Sequence, residues 1–236
     1  MAASFVLFGF AHRAVMAATI ASPLALTAAK RKAPGLDKLF RYSLAALLLG
    51  GWASWYVLFW MRGWLGIGNA LPLNLCDWAA IALIIALIRP SQIAYELGYF
   101  WGLAGTLHGL VTPPLLRDFP DPQFIFFFIN HGGIIASLLY LTIADGWRPW
   151  PRSLPRVIAA TLGYAAVAGF ADWLLGVNYG LLRAKPDNFS ILDFLSPWPV
   201  YIPELVLIGV LSVGLYYVPF WGLDSWRGSG RGRKSA

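Results

Sequence analysis

The chain holds one cysteine, Cys76, and three histidines, His12, His108 and His131. A thiolate is a strong nucleophile, and an imidazole of near-neutral pKa is the usual base that generates one. Cys76 and His131 together have the chemistry for acyl transfer through a thioester, provided the fold joins positions 55 residues apart. Asn74 and Asp77 have the spacing of a capping box. Either Asn74 caps a helix there, or Pro72 opens it as its first residue. In the first register Cys76 falls in the opening turn, where a helix N-terminus favours the thiolate. The plainer reading of a lone cysteine is a small buried hydrophobe. Asn130 precedes His131, and Gly132 and Gly133 follow it, giving room for a neighbouring helix or for substrate. The plainer reading of that histidine is an interhelical hydrogen bond. Asp77 either orients His131 or only caps its own helix.

A single thiol excludes an intramolecular disulfide and any multi-thiolate metal site. Seven-span zinc hydrolases use a histidine pair four apart on a late helix, and no histidine follows His131. No metal and no cofactor is therefore expected. P-loop, strand-linked GxGxxG and HExxH patterns are absent.

These residues need a scaffold, and the composition says which kind. Of 236 residues, 58% are hydrophobic and only 12% charged. So few charges cannot cover a soluble globule, and so apolar a chain does not stay disordered. The chain reads as an all-α, polytopic membrane protein. Seven apolar stretches are long enough to consider: Val6–Ala29, Leu39–Met61, Pro72–Ile88, Ile93–Val111, Gln123–Ala144, Pro155–Leu175 and Val200–Val218. Each approaches the ~20 residues that cross the hydrocarbon core as a helix. Unbroken apolar runs are not the alternating pattern of a barrel strand. Residues 1–226 form one seven-helix domain in this reading, and 227–236 a basic cytoplasmic tail.

The first span reads as a retained helix, because its basic residues Lys30, Arg31 and Lys32 follow the apolar core where a secretory signal would have them precede it. With the N-terminus outside and the C-terminus inside, thirteen of the eighteen Lys and Arg fall in inner segments, as the positive-inside rule requires. The +7 net charge is then a topology signal, and no nucleic-acid partner is implied. The expected location is the plasma membrane, with multiple passes and membrane lipids as partners.

Polar groups inside a bilayer are functional candidates by default. His12, Asn74, Cys76, Asp77, His108, Asn130, His131, Asp172, Tyr201 and Glu204 all fall in the outer half of their spans, and only Glu96 is an inner acidic group. An outward-opening polar cavity is expected. His108 shares a glycine-rich face with Gly98, Gly102, Gly105 and Gly109, a pattern of close helix packing. Asp172 is expected to pair with Arg183 or Lys185, and Glu96 to sit at the interface near a helix start. The loop Gly176–Pro199 is long enough for a lid. It is half apolar (Phe189, Ile191, Leu192, Phe194, Leu195), and Trp198, Pro199 and Tyr201 follow as an interfacial anchor.

At these residues the chain resembles the YwaF-like bacterial integral membrane family. The resemblance rests on Phe8-Gly9 with His12, on Leu71 to Cys76, on Glu96-Leu97 with Phe100 to Gly105, and on Phe128 to Gly132. It continues through Asn178-Tyr179, Lys185-Pro186 and Leu192 to Leu195 with Pro197 to Pro199, covering nearly the whole chain. Position 74 departs from the family, whose members often carry histidine there. That family is distantly similar to a vertebrate transmembrane Cys/His lipid acyltransferase and to the androgen-induced membrane hydrolases. The resemblance implies Cys76 as nucleophile and His131 as base.

Two functions follow. One is lipid acyl transfer or ester hydrolysis at the outer leaflet through Cys76 and His131. The other is a non-catalytic carrier or binding protein for a small polar or amphipathic ligand, held by Asp77, Asp172 and Glu204 facing one cavity. The residues expected to touch substrate are His12, Asn74, Asp77, Asn130, Asn178, Tyr179, Lys185, Asp193, Trp198, Tyr201 and Glu204.

Overall fold

The computed structural model describes residues 3–186 and 191–232, without the side chains of Ile191 and of 225–232. Its long elements are α1 (Phe10–Lys32), α2 (Asp37–Met61), α3 (Leu75–Ile88), α4 (Gln92–Trp101), α5 (Leu107–Val111), α6 (Pro122–Ala144), α7 (Ser153–Leu175) and α8 (Tyr201–Gly232). A five-residue π turn, Gly102–Thr106, joins α4 to α5 as one rod. No named strand occurs among the described residues; Ser4 and Arg117 form an isolated antiparallel bridge. The all-α expectation therefore holds. Four segments, Pro34–Met61, Pro122–Ala144, Ser153–Leu175 and Tyr201–Asp224, are long and apolar enough to cross a membrane, and Leu75–Ile88 is a shorter apolar helix.

Several boundaries differ from the sequence reading. α1 starts at Phe10 and not at Val6, so His12 sits in its first turn. Asn74, with extended φ/ψ, caps α3, which decides between the two registers: Pro72 lies outside the helix. α8 runs on through Gly232, well past the expected end at Val218. Of the basic tail, residues 233–236 lie outside the described residues, as does Phe189 of the loop.

α6 is the hub. Its neighbours include α1, α2, α3 and the α4–α5 rod, while α7 packs on α4 and α8. Glycines set these approaches. A Cβ at Gly132 would lie 2.7 Å from Thr19 Oγ1 of α1, and one at Gly133 3.1 Å from Leu48 Cδ2 of α2. The pair thus serves helix packing. At Gly98 and Gly102 a Cβ would strike Leu83 at 2.6 Å and Leu138 at 2.7 Å, as the small-residue pattern predicts.

Charged groups lock one end of the bundle, where α1, α3 and α6 finish and α2, α4 and α7 begin. Lys30 pairs with Asp145 and with Asp37 (2.8 Å), and Arg41 pairs with Asp145 (2.8 Å). Arg41 also donates to the Leu87 and Ala86 carbonyls at the end of α3. Glu96 corrects the sequence reading: it is fully buried rather than interfacial, accepting from Arg156 of α7 and from Gln92, both at 2.8 Å. Asp145 holds two cations from different helices, so Asp145→Asn is expected to lower stability by roughly 2–3 kcal/mol. That is below the ~3–5 of a fully buried pair because Lys30 keeps some exposure. A lower melting temperature in detergent checks it.

Candidate functional site

The opposite end of the bundle encloses a cavity of about 400 Å³. Asn74 and Cys76 reach it from the start of α3, Ala104, Gly105 and His108 from the π turn and α5, and His131 from the middle of α6. α7 and α8 complete the walls, and Gly180, Leu181, Leu182 and Leu192 of the long loop also line it. The fold thus brings Cys76 and His131 to one space, across the 55 residues that separate them.

The placement of Cys76 follows from its helix start. Asn74 caps α3 and Asp77 closes the capping box, its Oδ2 accepting the Asn74 N–H at 3.0 Å. Cys76 is then the second residue of the helix, beside the unpaired N–H groups of the first turn. Asp77 also accepts from Trp52 Nε1 at 3.3 Å. Asp77 thus bonds the cap of α3 and Trp52 of α2, while His131 bonds the Phe127 carbonyl of its own helix.

His131 is fixed on three sides. Its Nδ1 lies 3.0 Å from the Phe127 carbonyl. A carbonyl only accepts, so Nδ1 carries the proton and Nε2 of the neutral ring keeps its lone pair. The ring stacks on Phe127, centroids 4.0 Å apart and planes at 13°. Gly109 of α5 supplies the remaining room, since a Cβ there would sit 2.9 Å from His131 Cδ2 and 3.2 Å from Nε2. So one glycine of the expected packing face makes space for a functional candidate.

His108 was read from the sequence as part of a packing face, but it is exposed and lines the cavity. Its Nδ1 donates to the Ala104 carbonyl at 2.9 Å. The missed signal was the glycine run itself. A helix that widens into a π turn at Gly102–Thr106 shifts the face that follows, and such turns favour functional sites.

Among the residues expected to touch substrate, only Asn74 lines the cavity. His12 is fully buried elsewhere, accepting the Phe8 N–H at Nδ1 (3.0 Å) and donating from Nε2 to the Leu110 carbonyl (2.9 Å). It ties α1 to the end of α5. Asn130 donates to the Gly51 carbonyl of α2 at 3.2 Å.

The loop residues staple the cavity's roof. Asn178 accepts the Arg183 and Ala184 N–H groups. Tyr179 donates its hydroxyl proton to the Ile67 carbonyl at 2.6 Å. Lys185 bonds the Leu195 carbonyl at 2.7 Å, Trp198 the Leu182 carbonyl at 3.3 Å, and Tyr201 the Leu181 carbonyl at 2.6 Å. Glu204 accepts the Ser196 N–H and hydroxyl. Asp193 sits exposed in the short turn Ile191–Phe194.

Asp172 is fully buried, and its Oδ1 accepts the Tyr179 N–H at 2.6 Å. Oδ2 has no hydrogen-bond partner among the described residues. The expected ion pair is replaced by a different contact: Arg183 donates to the Asp172 main-chain carbonyl at 3.0 Å. None of Asp77, Asp172 and Glu204 lines the cavity, so the arrangement that motivated a carrier is not the one observed. No group of three or more His, Cys, Asp or Glu side chains placed to hold a metal occurs among the described residues.

No curated protein and no solved structure matches the chain. The TMEM164 family matches it over residues 3–217. With several apolar helices of membrane-crossing length, this multi-pass integral membrane protein belongs to the TMEM164 family.

Proposed function

We propose that the protein is a lipid acyltransferase or lipid-ester hydrolase, with Cys76 as nucleophile and His131 as base. The observation that carries this reading is that the single thiol and a histidine with an available Nε2 line one cavity whose remaining wall is mostly aliphatic. The resemblance to Cys/His acyltransferases seen through the YwaF-like family supports it, as does membership of a membrane family. In this account all seven helical rods cross the bilayer, in the plasma membrane. The charged end of the bundle faces the cytoplasm, with the C-terminal basic tail, and the cavity opens toward the outer leaflet.

His131 Nε2 takes the proton of Cys76 Sγ, and the thiolate attacks the ester carbonyl carbon. A C–S bond forms as the carbonyl π pair moves to oxygen, where the Asn74 amide stabilises it. The C–O ester bond then breaks, and the departing oxygen takes the proton from His131. An alcohol, a lysolipid or water next gives its proton to His131 and attacks the thioester, and the C–S bond breaks to restore the thiolate. No cofactor is required.

Because Cys76 is the only thiol, alkylation tests the reading directly. N-ethylmaleimide is expected to label one site and abolish lipid-ester turnover, with phospholipid slowing both in parallel. Full activity in stoichiometrically labelled protein contradicts it. Gly109→Ala probes the placement of His131. Its Cβ displaces the ring while leaving Cys76 untouched, and a misplacement of about 1 Å is expected to cost roughly 10²-fold in turnover. Steady-state rates in protein of unchanged melting temperature check this.

A further inference from the structure

The cavity has two unlike walls. Asn74, Cys76, His108 and His131 come from the start of α3, from α5 and from α6, whereas α7 and α8 contribute mainly aliphatic side chains; of their polar lining residues, Thr161 donates to the Val157 carbonyl, Tyr164 donates to the Leu73 carbonyl, and Ser212 is the third. On α7 the lining positions Ile158, Thr161, Leu162 and Ala165 share one helical face. On α8 Leu205, Gly209 and Val213 form a single i, i+4, i+8 stripe. Eight residue steps at 1.5 Å each make that stripe about 12 Å long. The opposite stripe of α8, Leu207, Leu211 and Leu215, is exposed and faces the hydrocarbon in the membrane account above. The aliphatic wall is therefore one helix thick between cavity and lipid.

Gly209 is unlike the packing glycines of the bundle. A Cβ there would meet nothing within 4 Å, where Gly98 and Gly102 would meet leucine at 2.6 and 2.7 Å. No neighbouring helix requires its small size; the space beside it is open and belongs to the cavity.

We propose that the α7–α8 wall holds one acyl chain of a membrane lipid ester, admitted between these two helices, and that Gly209 determines how long a chain the site accepts. This rests on the acyl-transfer reading for what happens at the polar wall, but the chain site stands on the shape and chemistry of α7 and α8. A side chain at 209 projects into the open stripe and blocks it partway along. Short chains still fit, and longer ones lose their place.

The test compares wild type, Gly209→Ala, Gly209→Leu and Gly209→Phe on phosphatidylcholines bearing octanoyl, dodecanoyl or hexadecanoyl chains. Two readouts are used. One is turnover; the other is binding, as displacement of a pyrene-labelled phosphatidylcholine from the same variants carrying Cys76→Ala. Melting temperatures are expected to stay near wild type, because the new side chains enter open space. Gly209→Leu and Gly209→Phe are expected to lower the hexadecanoyl-to-octanoyl preference by about tenfold or more, the scale on which pockets discriminate chain length, with Gly209→Ala between. Length discrimination in binding without turnover in any protein upholds the chain site and removes the acyl-transfer reading. Turnover with an unchanged length profile leaves that reading intact and overturns the role of Gly209. An equal loss at every length, or no length dependence in either readout, also overturns it.

Discussion

Cys76→Ala is expected to abolish lipid acyl turnover, by roughly 10⁴-fold or more, as removal of a covalent nucleophile does in other acyl-transfer enzymes. The expected effect on stability is small. Cys76 is partly buried, so the change removes one sulfur from a cavity wall and leaves the Asn74–Asp77 cap of α3 in place. Cys76→Ser separates the chemistry from the packing. It keeps the shape and a hydroxyl, yet oxygen in that position lacks the nucleophilicity of a thiolate, so turnover stays near the alanine level. Steady-state assays with a phospholipid donor, run on protein of matched melting temperature, check both. Wild-type turnover in either variant rules out the thioester route.

The second large effect is at His131. His131→Ala is expected to lower turnover by roughly 10²–10⁴-fold, the usual contribution of a positioned general base. The same change empties the space between Phe127 and Gly109 that the ring now fills. Added imidazole can enter that space and restore part of the rate, which a purely structural defect does not allow. N-ethylmaleimide should also react more slowly with Cys76 in this variant, since the thiol has lost the group that takes its proton. A variant with normal turnover, or one that imidazole fails to rescue, contradicts the assignment.

Much of the scaffold was legible in the residues. Among the described residues each of the seven apolar stretches falls on a helical rod, and all but α8, which runs on through Gly232, end within a few residues of the expected limits, because hydropathy of that length leaves the backbone few alternatives. The Asn74–Asp77 spacing offered the cap of α3 as one of two registers, and the structure adopts that one, with Cys76 in the first turn. Glycines at 98 and 102 marked helix approaches because a Cβ has nowhere to go there.

The site was harder to read, for a specific reason. Depth along a span was the only coordinate the sequence offered, and residues at equal depth can face opposite ways round a helix. Asn130 and His131 are neighbours, yet one bonds α2 while the other lines the cavity. His12 has the depth of a cavity residue and instead joins α1 to α5. The polar residues of the long loop pointed to a binding element, but their hydrogen bonds go to the loop's own backbone and to its neighbours. Asn178, Lys185, Trp198 and Tyr201 hold a roof in place, and hydrophobic Leu181, Leu182 and Leu192 supply its inner surface. His108 was passed over because the π turn that reorients it has no simple sequence signature beyond clustered glycine.

The most direct test of the account is to look for the acyl group on the thiol. Purified protein is incubated with phospholipids bearing a taggable acyl chain, quenched in acid, and mapped by mass spectrometry. The account predicts one acyl adduct, on Cys76, removed by hydroxylamine, absent in His131→Ala and lost on addition of an acceptor alcohol. Lipid turnover without any adduct on Cys76, or an adduct that forms equally well in His131→Ala, contradicts it.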